Sequence, residues 1–270
     1  MNTLVNSLNK VFIIAYKEST EQLEVYLKEE GFDCEVLRQE NKPEYQEFSP
    51  SYRCLLNHRR AWQKAAESPQ PSLIIEADFV PVKDFGQLPL PFRKESEKIG
   101  ISWIYTCAPQ VYWVSDEGYA QGFSTSMVAY IISPKAASSL IEFADKVEQE
   151  TGGKVYSTWD SQIDTVLRSR QFKNFIPFRN YGEHGGIPNP EHRQNGLSPG
   201  HQADVLWGDI AWTPLYAKEY NVTQMRIKAR VKGILRLLKG NFLRRKTFQN
   251  SSVPWRLLRF SVRRQLTITL

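Results

Sequence analysis

Two carboxylates follow directly on an apolar stretch of the sequence. Ser72–Ile75 is typical of a buried strand, and Glu76 and Asp78 come immediately after it. Ligands of open α/β sheets bind beyond the carboxyl ends of the strands, and side chains at i and i+2 of a strand point the same way. Both carboxylates are therefore expected to converge on one Mg²⁺ or Mn²⁺, ions that bind through a few carboxylates plus substrate phosphates. The alternative is an ordinary acidic strand end facing water.

The chain before and after these acids predicts alternating strands and helices. Val11–Tyr16 and residues 33–39 are candidate strands, and helices are expected at residues 19–31 and 49–68. Further strands are expected at 101–107, 110–116 and 126–133, with helices at 133–150 and 157–170. A strand–helix–strand order favours a parallel, doubly wound sheet. The fold class predicted is therefore α/β, a nucleotide-binding sheet with helices on both faces.

Composition limits the classes of protein that fit. The 270 residues are 41% hydrophobic, enough for a sizeable core, and no stretch reaches the length of a membrane span. Three cysteines without CxxC spacing argue against a disulfide framework or a structural zinc site. They suit a reducing compartment, so a cytoplasmic location is expected.

Charge divides the chain into an acidic body and a basic tail. Residues 221–270 hold 13 of the 35 Lys and Arg and none of the 29 Asp and Glu, so the first 220 residues carry a net charge of −7. We therefore predict a domain over residues 1–220 and a separate basic segment over 221–270. An acidic body would repel phosphates, so nucleic acid is not an expected partner.

The basic segment has the period of an amphipathic helix. Its apolar face comprises Val231, Ile234, Leu235, Leu238 and Phe242, flanked by Arg230, Lys232, Arg236 and Lys239. Such a helix can lie in the interface of an anionic membrane, which would place the protein peripherally on the inner face. The alternative is a helix that docks its apolar stripe onto its own domain.

Three segments together resemble glycosyltransferase family 25, the lipopolysaccharide and collagen galactosyltransferase family. The first is "CLLNHRRAWQKAAESPQPSLIIEADFVP", where Cys54, Asn57 and His58 precede the Glu76-Ala77-Asp78 acids. The second is "STSMVAYIISPKAASSLIEF", where the likeness is carried by Tyr130, Ile131, Ser133, Lys135 and Ala136. The third is "YSTWDSQI", which places Asp160 at the family's Asp position. The resemblance covers roughly residues 9–215 in the family's order.

The resemblance implies a GT-A fold and inverting transfer of a hexose, commonly galactose, from a UDP-sugar to a carbohydrate hydroxyl. Such a transfer needs a general base that takes the acceptor's proton. Asp160 is the first candidate for it, and Asp164, one turn later, is the second. The alternative for Asp160 is an acid that stabilises a helix N-terminus, an effect of about 0.3–1 kcal/mol.

The donor and the metal would take further residues. Ala15 and Tyr16 stand where the family contacts the donor, although the family's Asn-Leu pattern is not kept there. Glu76 and His58 are further candidate donor contacts. For His58, a buried core histidine is an equal alternative. Residues 181–199 read as a long functional loop, in which His184 is the candidate third metal ligand beside Glu76 and Asp78; solvated loop histidines are the alternative.

The leading hypothesis is a Mn²⁺- or Mg²⁺-dependent glycosyltransferase of lipopolysaccharide or surface polysaccharide synthesis. It would act on a glycan or lipid-linked oligosaccharide at an anionic membrane surface. Ala77 replaces the central acid of the family's Glu-Asp-Asp. The alternative is therefore a catalytically eroded homologue that binds a nucleotide or carbohydrate. A metal-dependent phosphohydrolase would explain the acids but neither the His58 helix nor the second segment.

Overall fold

An eight-stranded mixed sheet forms the centre of the computed structural model, which describes residues 2–8, 10–186 and 201–266. In sheet order its strands are β2 (Cys34–Arg38), β1 (Val11–Ala15), β3 (Ser72–Glu76), β8 (Ala129–Ile132), β5 (Ile99–Trp103), β9 (Lys173–Ile176), β7 (Ala120–Phe123) and β6 (Gln110–Val114). A separate antiparallel pair joins β4 (Phe79–Pro81) to β10 (Gly182–His184).

Helices cover both faces of the sheet, as predicted. In the part of the chain that the structure describes they are α1 (Glu21–Glu29), α2 (Pro50–Ala66), α3 (Pro134–Thr151), α4 (Ile163–Ser169), α5 (Val222–Leu238), α6 (Arg245–Gln249) and α7 (Pro254–Leu266). Successive side chains of β1 point to opposite faces of the sheet. Phe12 and Ile14 pack with α2, α3 and α4, while Val11 and Ile13 pack with α1. The α/β fold class predicted from the sequence is confirmed.

The sheet is mixed where the sequence predicted parallel strands throughout. β1 pairs in parallel with β2 and β3, and β5 pairs in parallel with β9, but β8 runs antiparallel between β3 and β5. The chain from β5 to β8 contains a β-hairpin and no helix, and a parallel neighbour would need a crossover connection. The carboxyl ends of β1, β3 and β5 nevertheless lie at one edge, which we call the carboxyl edge.

Local sequence signals set the helix boundaries. The Ser49 hydroxyl accepts a hydrogen bond from the Tyr52 amide at the start of α2, and Pro50 occupies its first turn. Ser133 does the same for α3, which ends at Gly152 with a left-handed φ of 59°. Of the two, α2 carries Cys54 and His58, which lie against the end of β3.

The second half of the basic segment packs into the same core as the sheet. Phe242, Leu257 and Phe260 are buried against the α2–α4 face, and the Val111 amide donates to the Phe242 carbonyl. Docking onto the chain's own domain, the alternative considered for this segment, therefore describes α7. Phe242 lies beyond the end of α5 and is buried, so it does not continue that helix's apolar stripe.

One face of α5 stays exposed. Ile227, Val231, Leu235 and Leu238 are 58%, 49%, 45% and 75% exposed. Their spacing places them on one side of the helix. Within the residues described, no helix is both long and apolar enough to cross a membrane.

Candidate functional site

Glu76 ends β3 and meets two side chains of α2. Cys54 and His58 are four residues apart, so both face the strand. His58 Nε2 lies 3.1 Å from Glu76 Oε1, and the Cys54 Sγ lies 3.9 Å from the same oxygen. The Glu76 side chain remains a quarter exposed. One oxygen of Glu76 therefore contacts His58 and Cys54, while the carboxylate remains partly exposed at the carboxyl edge.

A buried hydrogen-bond chain orients His58. Trp62 Nε1 donates to the Tyr130 hydroxyl at 2.8 Å, and that hydroxyl lies 2.9 Å from His58 Nδ1. Because Tyr130 accepts from Trp62, its own hydrogen points to Nδ1, which assigns the proton on His58 to Nε2. His58 then donates to Glu76. Both ring nitrogens of His58, a candidate donor contact, are therefore hydrogen-bonded within the protein. His58 positions Glu76.

Asp160 lies next to this pair in a 3₁₀ turn formed by Trp159–Gln162, just before α4. Burial raises the pKa of Asp160 to about 6, with the charge of Glu76 adding to the rise, while the Ser161 amide and His58 oppose it. The Trp159 ring packs 5.3 Å from the His58 ring, centroid to centroid. The structure thus brings Asp160, Glu76 and His58 into one electrostatic neighbourhood. A carboxylate with a pKa near 6 is a suitable general base at neutral pH.

Asp164 lies in a different environment. The 3₁₀ turn interrupts the single helix predicted over 157–170, so Asp164 lies in the first turn of α4 and does not stack one α-helical turn above Asp160. Its carboxylate accepts hydrogen bonds from Tyr112 at 3.0 Å and Asn174 at 2.9 Å. These contacts tie α4 to β6 and β9, which gives Asp164 a packing role.

Asp78 diverges from Glu76. β3 ends at Glu76, and Ala77 and Asp78 form a turn into β4, so the i, i+2 rule for strands does not apply to the two acids. Asp78 Oδ2 instead lies 3.0 Å from His184 Nε2 in β10. Burial would lower the pKa of His184, but Asp78 outweighs it and raises that pKa to about 9. Burial would likewise raise the pKa of Asp78, yet His184 lowers it.

The proposed metal ligands fall into two groups. Asp78 and His184 are together, while Glu76 lies with Cys54 and His58; among the residues described, that second trio has potential ligand atoms all within 4.8 Å of one another. A sulfur, nitrogen and oxygen set is not what Mg²⁺ or Mn²⁺ prefers. The charge of Glu76 also raises the pKa of His184, so the two groups are electrostatically coupled.

Asp78 has the feature expected of an oxygen ligand. Its Oδ1 is buried and has no hydrogen-bond partner within the part of the chain described. A buried carboxylate oxygen without a partner is costly unless a proton or a cation satisfies it. Asp78 therefore fits a divalent cation, with His184 beside it.

Close packing at Gly186 maintains this arrangement. A Cβ placed at Gly186 would overlap Asp78 Oδ2 and lie 3.2 Å from His184 Nε2. We expect Gly186→Ala to displace the Asp78 carboxylate and to weaken divalent-cation binding there, probed with Mn²⁺, about tenfold or more. Gly208→Ala is the matched control, because a Cβ there meets nothing within 4 Å. Equal Mn²⁺ affinities of the two variants by calorimetry would contradict this role.

The predicted donor residues lie at the carboxyl edge. Ala15 ends β1, and its carbonyl accepts from the Asn57 side chain at 3.2 Å. Tyr16 follows with a 46% exposed side chain, and the β1–β3 pairing of Ile14 with Glu76 places it beyond the last paired residues of the two strands. An exposed aromatic ring here is available for stacking on a base.

Three residues outside the site predicted from the sequence extend it. Cys107 follows β5 at the carboxyl edge, and its Sγ lies 3.2 Å from His201 Nδ1. The His201 ring is 6.4 Å from the His184 ring, centroid to centroid. Glu183, buried in β10, accepts from the amides of His184 and Ala203 and so fixes residues 201–204 beside β10. The rule that ligands bind at the carboxyl edge would have pointed to Cys107.

The long loop predicted over 181–199 is only partly described. Gly182–His184 form a strand in place of the predicted loop, because they pair with β4. Residues 187–200, with His192, lie outside the described residues.

Comparison with known proteins finds similarity of fold only. No protein-family model and no curated protein matches the chain, so the resemblance to glycosyltransferase family 25 rests on its three motifs. A glycosyltransferase involved in the glycosylation of the major capsid of PBCV-1 is 12% identical with a TM-score of 0.42, covering 62% of this chain and 81% of that one. A mutant of Drosophila β-1,4-galactosyltransferase 7, in complex with manganese, UDP-Gal and xylobiose, is 10% identical with a TM-score of 0.35, covering 69% and 74%.

Proposed function

We propose that this protein is a metal-dependent glycosyltransferase that moves a hexose from a UDP-sugar to a glycan hydroxyl with inversion. The observation that carries the proposal is Asp160, whose pKa of about 6 suits a general base, beside the oriented carboxylate of Glu76. Both lie at the same edge as Asp78, whose buried oxygen suits a cation.

Asp160 is the base of the proposed reaction. As the acceptor oxygen bonds to the anomeric carbon, Asp160 takes the hydroxyl proton, and the bond from that carbon to the diphosphate breaks with its electrons going to UDP. Glu76 is positioned by His58 at a fixed orientation toward the same opening. The exposed ring of Tyr16, next to the Ala15 backbone, would stack on the uracil.

Asp78 would hold a divalent cation, and His184 would join it as a ligand on releasing to solvent the proton that it shares with Asp78, with Glu76 as a further carboxylate. Mn²⁺ or Mg²⁺ supplies the charge that neutralises a leaving diphosphate. The Asp78–His184 ion pair is preformed, and Gly186 leaves the space that the two side chains need.

The acceptor side of the proposal draws on the motif resemblance and on α5. The resemblance points to a glycan or lipid-linked oligosaccharide of lipopolysaccharide or another surface polysaccharide. The exposed apolar face of α5, formed by Ile227, Val231, Leu235 and Leu238 with basic neighbours, supports contact with an anionic membrane surface from the cytoplasmic side.

A second candidate is an eroded homologue that binds a nucleotide or carbohydrate without transfer. Ala77, in place of the family's central acid, is the observation that favours it. Ala77 packs against the α1 face of the core, away from the side of Glu76, so its exchange leaves the Glu76 and Asp78 carboxylates in place. The enzyme is therefore the better supported of the two.

Calorimetric titration of UDP with and without Mn²⁺ tests the proposal. We expect Mn²⁺ to tighten UDP binding in the wild type and Asp78→Asn to abolish that gain, a loss of about 10–100-fold. Asp209→Asn is the control, because the Asp209 side chain is 80% exposed. UDP binding indifferent to Mn²⁺ and to Asp78 would favour the eroded homologue.

A further inference from the structure

A basic cleft opens beside the Asp78–His184 pair. It has a volume of about 180 Å³ and lies between the chain that follows β5, residues 201–204 and helix α5. Its walls include Cys107, His201, Lys228, Lys232, Gly233 and Arg236. His201 joins it to the candidate site, since its ring neighbours that of His184.

Three cations of α5 face this cleft. Lys228, Lys232 and Arg236 are spaced four residues apart, which aligns them along one side of the helix. Arg236 is fixed by hydrogen bonds from Nη2 to the carbonyls of Ala108 and Pro109, at 3.0 and 3.3 Å. Its Nε is buried and has no partner among the residues described. A donor thus remains for a ligand.

Within the described part of the chain, no acid forms an ion pair with these three cations. Lys228 and Lys232 make no ion pair within the described part of the chain. Asp204 also lines the cleft, but both its oxygens are bonded to Arg264, at 2.5 and 3.0 Å. The cleft therefore carries an excess of positive charge.

The size and chemistry of the cleft select a compact anion. Pockets that take drug-sized ligands measure about 300–1,000 Å³, so this cleft is too small for a whole nucleotide sugar. Arginine and lysine donors around a confined space match phosphate oxygens. The exposed Ile227, Val231 and Leu235 lie on α5 next to the lysines, so an apolar chain attached to such a phosphate would meet an apolar surface.

We propose that this cleft binds a phosphate or diphosphate group through Lys228, Lys232 and Arg236. The inference deepens the proposed function and rests on it for the source of the group. In that reaction the group belongs either to the UDP-sugar or to a lipid-linked acceptor.

Calorimetry with inorganic pyrophosphate, without metal or donor, tests the cleft alone. We expect Lys228→Gln/Lys232→Gln to weaken pyrophosphate binding by about tenfold or more. The matched control is Lys135→Gln/Lys173→Gln, which removes the same charge from exposed lysines at the sheet edge opposite the carboxyl edge. Pyrophosphate affinities equal in the two double variants, or no saturable binding to the wild type, would overturn the proposal.

Two further titrations distinguish the sources. A parallel loss of UDP affinity in Lys228→Gln/Lys232→Gln assigns the cleft to the donor diphosphate. An unchanged UDP affinity assigns it to the acceptor, and binding to phosphatidylcholine vesicles containing a polyprenyl phosphate should then fall in the same variant. Pyrophosphate binding requires no sugar transfer, so the cleft proposal can hold even where transfer activity is absent. Conversely, a failure of pyrophosphate to bind leaves the result of the Mn²⁺ and UDP titration unaffected.

Discussion

Asp160→Asn is expected to lower kcat by about 10²–10⁴-fold, the usual contribution of a general base. The amide keeps the shape of the side chain and can still accept from the Ser161 amide, so the turn should persist. Binding of UDP and Mn²⁺ should be unchanged, because Asp160 lies apart from the Asp78–His184 pair. Transfer kinetics and UDP calorimetry on the same preparations measure the two effects.

The pKa of Asp160 determines the direction in which kcat should change with pH. Asp160 acts as a base only when ionised, and burial raises its pKa to about 6. The wild-type kcat should therefore rise with pH up to that value and level off above it, and Asp160→Asn should lose this limb.

Asp164→Asn supplies the matched control. Its carboxylate is bonded to Tyr112 and Asn174, so the change should cost stability and leave kcat near that of the wild type. A collapse of kcat in Asp164→Asn with normal activity in Asp160→Asn would exchange the two assignments.

Arg264→Met is expected to destabilise the protein by about 3–5 kcal/mol at pH 7, the range for breaking a buried ion pair. Arg264 is fully buried, and it bonds both oxygens of Asp204 and the Thr106 hydroxyl. Removing it leaves Asp204 as a buried charge without its cation. Urea unfolding of wild type and variant measures the loss, and Arg263→Met, an exposed neighbour on α7, is the control.

The pH dependence of stability follows from Asp204. Burial would raise its pKa, but Arg264 and Gln265 hold it below the usual value. This contribution to stability is therefore complete above the unfolded-state pKa of about 3.9 and is lost as pH falls toward the lower folded-state value. In Arg264→Met the depression is gone, so the stability gap to the wild type should narrow in acid. A gap that stays constant as the pH falls below about 3.9 would show that the ion pair contributes nothing.

The sequence predicted the positions of strand ends better than the directions of their side chains. Alternation placed Glu76 correctly at the carboxyl edge, since Ile74 and Glu76 share a face of β3. Alternation failed for Asp78 because the chain turns at Ala77, where no glycine or proline in the sequence indicates a turn. The pairing of β4 with β10 determines the position of that turn.

Long-range contacts account for the roles that were missed. His58 and Cys54 were predictable as neighbours from helical spacing, but the engagement of His58 depends on Tyr130, 72 positions away. Arg264 counted only as one charge of a basic segment, while its partner Asp204 lies 60 positions earlier. Neither pairing has a local pattern, because neither residue's neighbours in sequence specify its partner.

Arg264 also sets an order of events during synthesis of the chain. It bonds to Thr106, which precedes it by 158 positions. At about 5–20 residues per second, a ribosome needs roughly 8–30 s to cover that distance. Asp204 is synthesised within this interval, 60 positions before Arg264, when all eight strands of the central sheet have already been synthesised. Until Arg264 follows, Asp204 and the end of β5 lack their cation, so the cleft formed with α5 cannot reach its final electrostatic state. Binding competence should therefore appear after folding of the sheet, as a late step in the maturation of each molecule.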